Sequence, residues 1–184
     1  FHRRLDLGQP LLPPTAPKFT LWLMSYFFNE AGPEQLAGAP ERALREWDRH
    51  VEDEGLIVIV EPALRAQSRR LLEFRKGLLE VQQAQGRWQD FQVLLPCLGH
   101  QACGALQDPS DWCHEEATWM RPSFLKRIDQ AAGLDRSSLS FSYLVLVRSK
   151  RPRAQILPAL RGLERTDRLV SATHWEGKEQ EFYF

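Results

Sequence analysis

The sequence lacks most of the features that give a function away quickly. Among its 184 residues no apolar run approaches the ~18–20 residues that a membrane-crossing helix needs, and the mean hydropathy is -0.41. Both exclude a membrane-spanning protein. Net charge is missing too: 24 Lys+Arg balance 24 Asp+Glu. A surface built as a whole to cling to nucleic acid is therefore excluded, and DNA is not an expected partner. Cysteine is scarce and odd in number, with three residues, which argues against a closed set of intrachain disulfides and fits a reducing interior. There is no Cys-x2-Cys pair, G-x-G-x-x-G loop, Walker loop, G-x-S-x-G elbow or H-E-x-x-H helix. The chain thus carries no standard zinc finger, dinucleotide or ATP-phosphate cradle, hydrolase elbow or zincin helix. The start, Phe1-His2-Arg3-Arg4, has neither an initiator Met nor a signal-peptide core, so a piece of a longer protein is expected.

Short apolar runs alternate with helical patterns. Phe19–Met24, Leu56–Val60, Phe91–Leu95 and Phe141–Val147 have strand length. The second is unbroken and β-branched, as in a strand covered on both faces. Pro40 suits a first helical position, followed by Leu44, Trp47 and Val51 on one face. Leu71, Phe74 and Leu78 repeat that stripe after Pro62, widened by Leu72 and Leu79. Strand and helix in alternation predict an open α/β sheet built from βαβ units. Arg4–Leu7 reads as the tail of another strand, and Gln9–Pro17, with four prolines, as an extended loop. The segment 97–136 interrupts two strands as a long loop that holds all three cysteines together with Trp112, Trp119 and Phe124. Residues 1–150 are read as the main α/β domain. Residues 151–184 are read as a small, incomplete β appendage, in which Arg168–Ser171 and Glu181–Phe184 flank a turn at Glu176-Gly177-Lys178.

Three groups of residues are candidates for chemistry. Cys97, Cys103 and Cys113 fall within one excursion, with His100 inside it and His114 directly after. Thiolates suit zinc or iron–sulfur clusters. With a histidine the set would close a Cys3His zinc site, whereas a [4Fe–4S] cluster needs a fourth thiolate. Ser25, Tyr26, Asn29 and Glu30 follow the carboxyl end of a strand, where ligands bind in open α/β sheets. An aromatic ring there can stack on a flat ligand while Asn29 or Glu30 hydrogen-bonds it, or the segment is a packed helix cap. Glu61, at the end of the next strand, faces that crevice or caps the helix that follows. Arg148, Lys150, Arg151 and Arg153 form a basic run with Arg161, Arg165 and Arg168 downstream, suited to RNA phosphates or to a solvated connector. Arg69-Arg70 and Arg75-Lys76 read as the wet face of their helix.

The order Leu95-Pro96-Cys97-Leu98-Gly99-His100-Gln101-Ala102-Cys103-Gly104, then Asp111-Trp112-Cys113-His114, then Phe141-Ser142-Tyr143-Leu144, resembles the methyltransferase-like assembly factors of the small ribosomal subunit found in bacteria and mitochondria. The resemblance runs from roughly Leu5 to Phe184. It implies a class I (Rossmann-like) S-adenosylmethionine methyltransferase fold lacking its first strands, with a cysteine-containing insertion. The cofactor loop would precede Phe1, so this chain alone would be inactive. It implies that Asp6 and the Ser25–Tyr26 turn border the cofactor crevice. It further implies that Cys97, Cys103 and Cys113 are three ligands of a [4Fe–4S] cluster whose fourth cysteine lies beyond Phe184. The partner would be the small subunit and its rRNA, in bacterial cytoplasm or mitochondrial matrix. Leu98-Gly99-His100 stands where the family has Pro-His, and Gly104 where it has Pro; the spacing between the first two cysteines is kept.

Overall fold

The computed structural model describes residues 10–97, 103–134, 137–156, 174–176 and 179–181. Its central strand grows from four consecutive β-branched residues, Ile57 to Val60, whose stiff side chains favour a pleated backbone over a helix. They lie within β2 (Val51–Pro62), which pairs in parallel with β1 (Phe19–Ser25) and antiparallel with β5 (Ser138–Arg148). The far side of β5 pairs antiparallel with β3 (Phe91–Leu95) and, further along, with β4 (Glu115–Thr118). The order is β1-β2-β5-β3. β1, β2 and β3 run one way and β5 runs against them, so the architecture is a mixed α/β sheet compatible with a partial Rossmann-like fold.

The connections are helical. α1 (Phe27–Glu30), α2 (Pro33–Leu36) and α3 (Ala39–His50) lie between β1 and β2, and α4 (Arg65–Gln85) lies between β2 and β3. α3 begins with Pro at its first turn and buries Leu44 and Trp47; α4 buries Leu71, Phe74 and Leu78. These stripes meet Ile57, Ile59, Leu144, Leu146, Phe91 and Val93 of the sheet in one core. Phe28, Phe74, Trp47 and Phe91 follow one another through it in tilted and edge-to-face contacts, with ring centroids 5.0, 6.2 and 6.2 Å apart. The other sheet face is only half covered among the described residues. Leu56, Val58 and Val60 are partly buried, while Leu21 and Leu23 of β1 are 55% and 63% exposed. Among the described residues that face of β2 is covered in part, by the small cluster of Leu94, Val147 and Ile156 against which Leu56 packs.

Two further expectations are corrected. Val51 does not extend the α3 stripe: the helix ends at His50 and Val51 starts β2, pairing with Phe19. The strand bulges there, with Glu54 at φ 64° and Gly55 so crowded that a Cβ would stand 2.7 Å from Val51 Cγ1. The excursion 97–136 is not a plain loop, for it holds a single turn at Gly104–Leu106, β4, and α5 (Ser123–Ala131). Near the C-terminus β6 (His174–Glu176) pairs antiparallel with β7 (Glu179–Glu181), whereas Arg168–Ser171 and Phe182–Phe184 lie outside the described residues. No helix among the described residues is long and apolar enough to cross a membrane.

Candidate functional site

The shared direction of β1, β2 and β3 brings Ser25, Glu61-Pro62 and Leu95 to one end of the sheet. At β1 the chain turns through Tyr26, which adopts the left-handed conformation (φ 58°) uncommon for a bulky residue. Its N–H donates to the carbonyl of Val60 at 3.1 Å, so the turn stays tied to β2 while the ring is 56% exposed. Glu61 does not cap the helix after β2. It reaches back to α1 and accepts from the Phe28 N–H at 3.0 Å. Glu61 is 1% exposed and its Oε2 is buried without a hydrogen-bond partner. Burial pushes its pKa above the usual carboxylate range, against the N–H groups of Phe28, Phe27 and Asn29, which favour the charge. Asn29 donates to Glu30 (3.0 Å) and accepts from Gln67 of α4 (3.2 Å). Ser25, Tyr26, Asn29 and Glu30 thus stand together on one turn. Asp6 lies outside the described residues.

The cysteines gather at the same sheet end. Cys97 follows β3, Cys113 precedes β4, and Cys103 leads into the 104–106 turn. Arg69 of α4 clamps the intervening loop through one nitrogen, Nη1, which donates to the carbonyls of Ala105 (2.9 Å), Asp108 (2.7 Å) and Asp111 (2.7 Å). Ser142 of β5 donates to the Cys113 carbonyl at 2.8 Å and shares a 2.5 Å hydrogen bond with Ser68. The Cys113 thiol is pushed up to about 12, first by burial and then by Cys97, Cys103 and Glu115 close by, with Arg75 opposing. Tyr143 is likewise pushed up to about 12 by burial and by Glu115, Cys113 and Cys97. No disulfide joins the three cysteines.

The donors suit a soft metal in kind, and Cys97, Cys103 and the buried Arg75 cation all stand near Cys113. Ligand geometry is another matter, since among the described residues no group of three or more Cys, His, Asp or Glu is arranged to hold a metal ion. His114 stacks on Trp112 (centroids 5.6 Å, planes 17° apart), and its Nδ1 is buried without a partner. His100 lies outside the described residues.

The basic run does not form one face. Arg148 turns inward: Nη1 donates to the carbonyls of Asp48 and Val51, both at 2.8 Å, Nη2 meets Asp48 Oδ1 at 2.8 Å and Nε meets Asp90 Oδ2 at 3.0 Å. Its guanidinium also lies over the Phe91 ring, 5.2 Å from the centroid. Arg153 donates to the carbonyls of Leu94 and Cys97. Lys150 and Arg151 remain at the surface, Arg151 paired with Glu54. Arg161, Arg165 and Arg168 lie outside the described residues. The wet-face expectation for α4 also needs correction. Arg75 is 3% exposed, Arg69 holds the cysteine loop, and Arg70 donates to the Phe28 carbonyl at 2.9 Å; Lys76 does face water, near Glu80. Arg69, Arg75 and Ser142 are the site residues that sequence reasoning missed. Their signal lies in partners 29 to 74 positions away, which residue type alone does not carry.

No curated relative matches the chain. The model of one protein family, described as mitochondrial small ribosomal subunit Rsm22, matches residues 17–180, which take in β1, all three cysteines and the C-terminal hairpin up to Gln180. With that match covering most of its length, the chain belongs to the Rsm22 family, and its function is methyltransferase-like and related to the small ribosomal subunit.

Proposed function

We propose that the chain is part of a factor that assembles or modifies the small ribosomal subunit through its rRNA, with a thiolate-held metal centre beside an S-adenosylmethionine crevice. One observation carries the reading: Cys97 after β3 and Cys113 before β4 come to the sheet end that also bears the Ser25–Glu30 turn, with Cys103 near enough to act on Cys113. Open α/β sheets bind ligands at that end. In this reading the fold is of the class I methyltransferase type. Tyr26 is exposed to stack on a flat ring, and Asn29 and Glu30 offer hydrogen bonds at its rim. Bound S-adenosylmethionine supplies an electrophilic methyl group. The residues of this chain contribute position and exclusion of water rather than a general base.

The centre is read as a [4Fe–4S] cluster held by the three cysteines and one further thiolate. A Cys3His zinc site is the second reading, favoured by the buried, unpartnered Nδ1 of His114. Lys150 and Arg151 are the surface members of the basic run that would meet rRNA phosphates. The setting is the mitochondrial matrix in a eukaryote and the cytoplasm in a bacterium.

The test is anaerobic purification of the full-length protein, with metal analysis and co-sedimentation with small subunits. Brown protein with iron and acid-labile sulfide, lost in Cys97→Ser and Cys113→Ser, is the expected result. A colourless sample with stoichiometric zinc rejects the cluster in favour of the second reading, and a sample with neither metal rejects the centre. Failure to sediment with the subunit overturns the ribosomal role. Tyr26→Ala with Asn29→Ala should abolish cofactor binding; subunit assembly that survives this loss would mark the factor as non-catalytic.

A further inference from the structure

α5 inverts the ordinary pattern of an amphipathic helix. Of its nine residues only Asp129 is buried, while Phe124 and Ile128, four positions apart and so on one face, are 55% and 58% exposed. Arg121 holds the aspartate at 2.8 Å, which fixes the helix to its own leading turn. Met120, just ahead of the helix, and Leu139 of β5 are exposed as well. Apolar surface gathered in this way marks a face that meets a partner. Its place in the fold is specific. Pairing of β5 with β2 ends at Phe141, the partner of Pro62, whereas β4 pairs with β5 from Phe141 on to Ser138. The Trp119 N–H adds a bond to the Ser137 carbonyl at 3.3 Å. Residues 138–140 and β4 thus form a two-stranded stalk that runs past the carboxyl end of β2 and carries α5 in the connection between its strands. That is the sheet end which also bears the Ser25–Glu30 turn.

Charge narrows the choice of partner. The chain as a whole is balanced, but residues 119–134 hold Arg121, Lys126 and Arg127 against Asp129 alone. Asp129 is taken up by Arg121. Lys126 and Arg127 stand exposed on α5, and Arg127, three positions from Phe124, borders the apolar stripe. An apolar groove on a protein would take Phe124 and Ile128 but has no need of the cations. Unpaired RNA uses both, because its bases stack on an aromatic ring while its phosphates meet Lys and Arg. We propose that α5 and its stalk are a docking arm for unpaired bases of RNA: Phe124 is the stacking platform, Ile128 and Met120 extend the apolar contact, and Lys126 and Arg127 neutralise the flanking phosphates. This rests on the rRNA reading above and adds a contact distinct from Lys150 and Arg151, which follow the opposite end of β5. RNA held by the arm is presented to the end of the sheet where open α/β folds bind their ligands.

The test measures binding of the full-length protein to a fluorescein-labelled, unpaired RNA oligonucleotide of mixed sequence, by anisotropy across a salt series, with melting of each variant as the folding control. Phe124→Ala should bind about 5–150-fold more weakly, the worth of one base stacked on an aromatic ring, with its salt slope unchanged. Phe124→Trp should bind at least as tightly as the wild type. Lys126→Gln with Arg127→Gln should lower the slope of log K against log salt by about 1.4, at about 0.7 for each phosphate of a single strand. With p-benzoylphenylalanine in place of Phe124, the protein bound to small ribosomal subunits should cross-link to rRNA. Wild-type affinity in Phe124→Ala, a loss in Phe124→Trp as large as in Phe124→Ala, or an unchanged slope in the double variant overturns the arm and leaves the ribosomal reading in place. So does a wild type that sediments with small subunits but does not bind the oligonucleotide. Cross-linking to a ribosomal protein instead of rRNA overturns the arm in favour of a protein groove. If the wild type binds neither the oligonucleotide nor small subunits, the ribosomal reading falls and takes this inference with it.

Discussion

Replacing Arg148 by Met separates two roles that a basic run confounds, folding and RNA contact. The Arg148 side chain is 12% exposed and joined to Asp48 and Asp90, whose side chains are 39% and 22% exposed. Removing one partner of a buried ion pair costs about 3–5 kcal/mol because the other charge is left behind. Here the aspartates keep some access to water, which lowers that to about 2–3 kcal/mol. Loss of the stacking over Phe91 adds about 0.5–1 kcal/mol. For a chain of this size each kcal/mol moves Tm by about 2–4 °C, so Arg148→Met should melt roughly 5–16 °C lower. Lys150→Ala with Arg151→Ala removes only an exposed lysine and a surface pair, worth about 0–1 kcal/mol. That double variant should keep Tm nearly unchanged and instead flatten the salt dependence of rRNA binding, by about 0.7–0.9 in slope for each phosphate no longer neutralised. Calorimetric melting and binding isotherms across a salt series read both effects. If Arg148→Met melts within about 2 °C of wild type, the inward network is not worth what its geometry implies. If the double variant binds rRNA with an unchanged slope, Lys150 and Arg151 are connector residues only.

The remaining predictions concern the site and its supports. Glu61 has its folded pKa raised by burial, so the fold holds that proton more tightly than the unfolded chain does. Its contribution is fully present below the ordinary carboxylate range and is lost as pH rises through the raised value. Glu61→Gln, which keeps an oxygen for the Phe28 N–H, should therefore raise Tm near pH 7 and make no difference near pH 4; a deficit at pH 7 that disappears in acid contradicts the assignment. Arg69→Met removes three hydrogen bonds to carbonyls and should speed amide exchange across residues 104–112 by about 10-fold or more, equivalent to about 1.5–3 kcal/mol, while β2 and β5 keep their protection. Gly77→Ala should destabilise by about 1 kcal/mol despite a helix-propensity gain of about 0.5–1 kcal/mol, because overpacking costs about 1–3 kcal/mol. The new Cβ would stand 2.6 Å from the Pro40 ring; a higher Tm would mean that α3 and α4 part without cost.

How much of this was legible in the sequence depended on how local each cause is. Ile57 to Val60 announce a strand by themselves, and Leu71, Phe74 and Leu78 announce a helix face, because rotamer stiffness and periodicity act within a few residues. β4 was not legible. Glu115–Thr118 has only Ala117 as an apolar residue, and it extends because β5 runs on to Ser138 and offers it an edge, where Ser140 also donates to Glu116 at 3.2 Å. Val51 was read as helical because its spacing from Leu44 and Trp47 suits α3, yet pairing with Phe19 claims it for the sheet. The arginines failed for a related reason. Arg75 and Arg148 look like solvated charges in sequence, and only tertiary neighbours decide whether a guanidinium meets water or carbonyl oxygens. For the cysteines, spacing announced a shared neighbourhood and the family match took in all three; it carried no information on ligand geometry.

The turn and the cysteine loop are also joined through the sheet. Adjacent strands lie about 4.8 Å apart, so β1 and β3, separated by β2 and β5, stand roughly 14 Å apart across the sheet. Glu61 of β2 and Ser142 of β5 are direct partners in the antiparallel register. Glu61 accepts from the Phe28 N–H just past the turn, and Ser142 donates to the carbonyl of Cys113. Two side chains on neighbouring strands therefore bridge from the Ser25–Glu30 turn to a cysteine backbone. Both are nearly inaccessible to water, at 1% and 3% exposure, so neither bond is readily exchanged for a hydration contact. A change that displaces the Cys113 carbonyl acts first on Ser142 and the strand pair it shares with Glu61. The α1 cap lies next along that line, ahead of any residue on the solvent side of the turn.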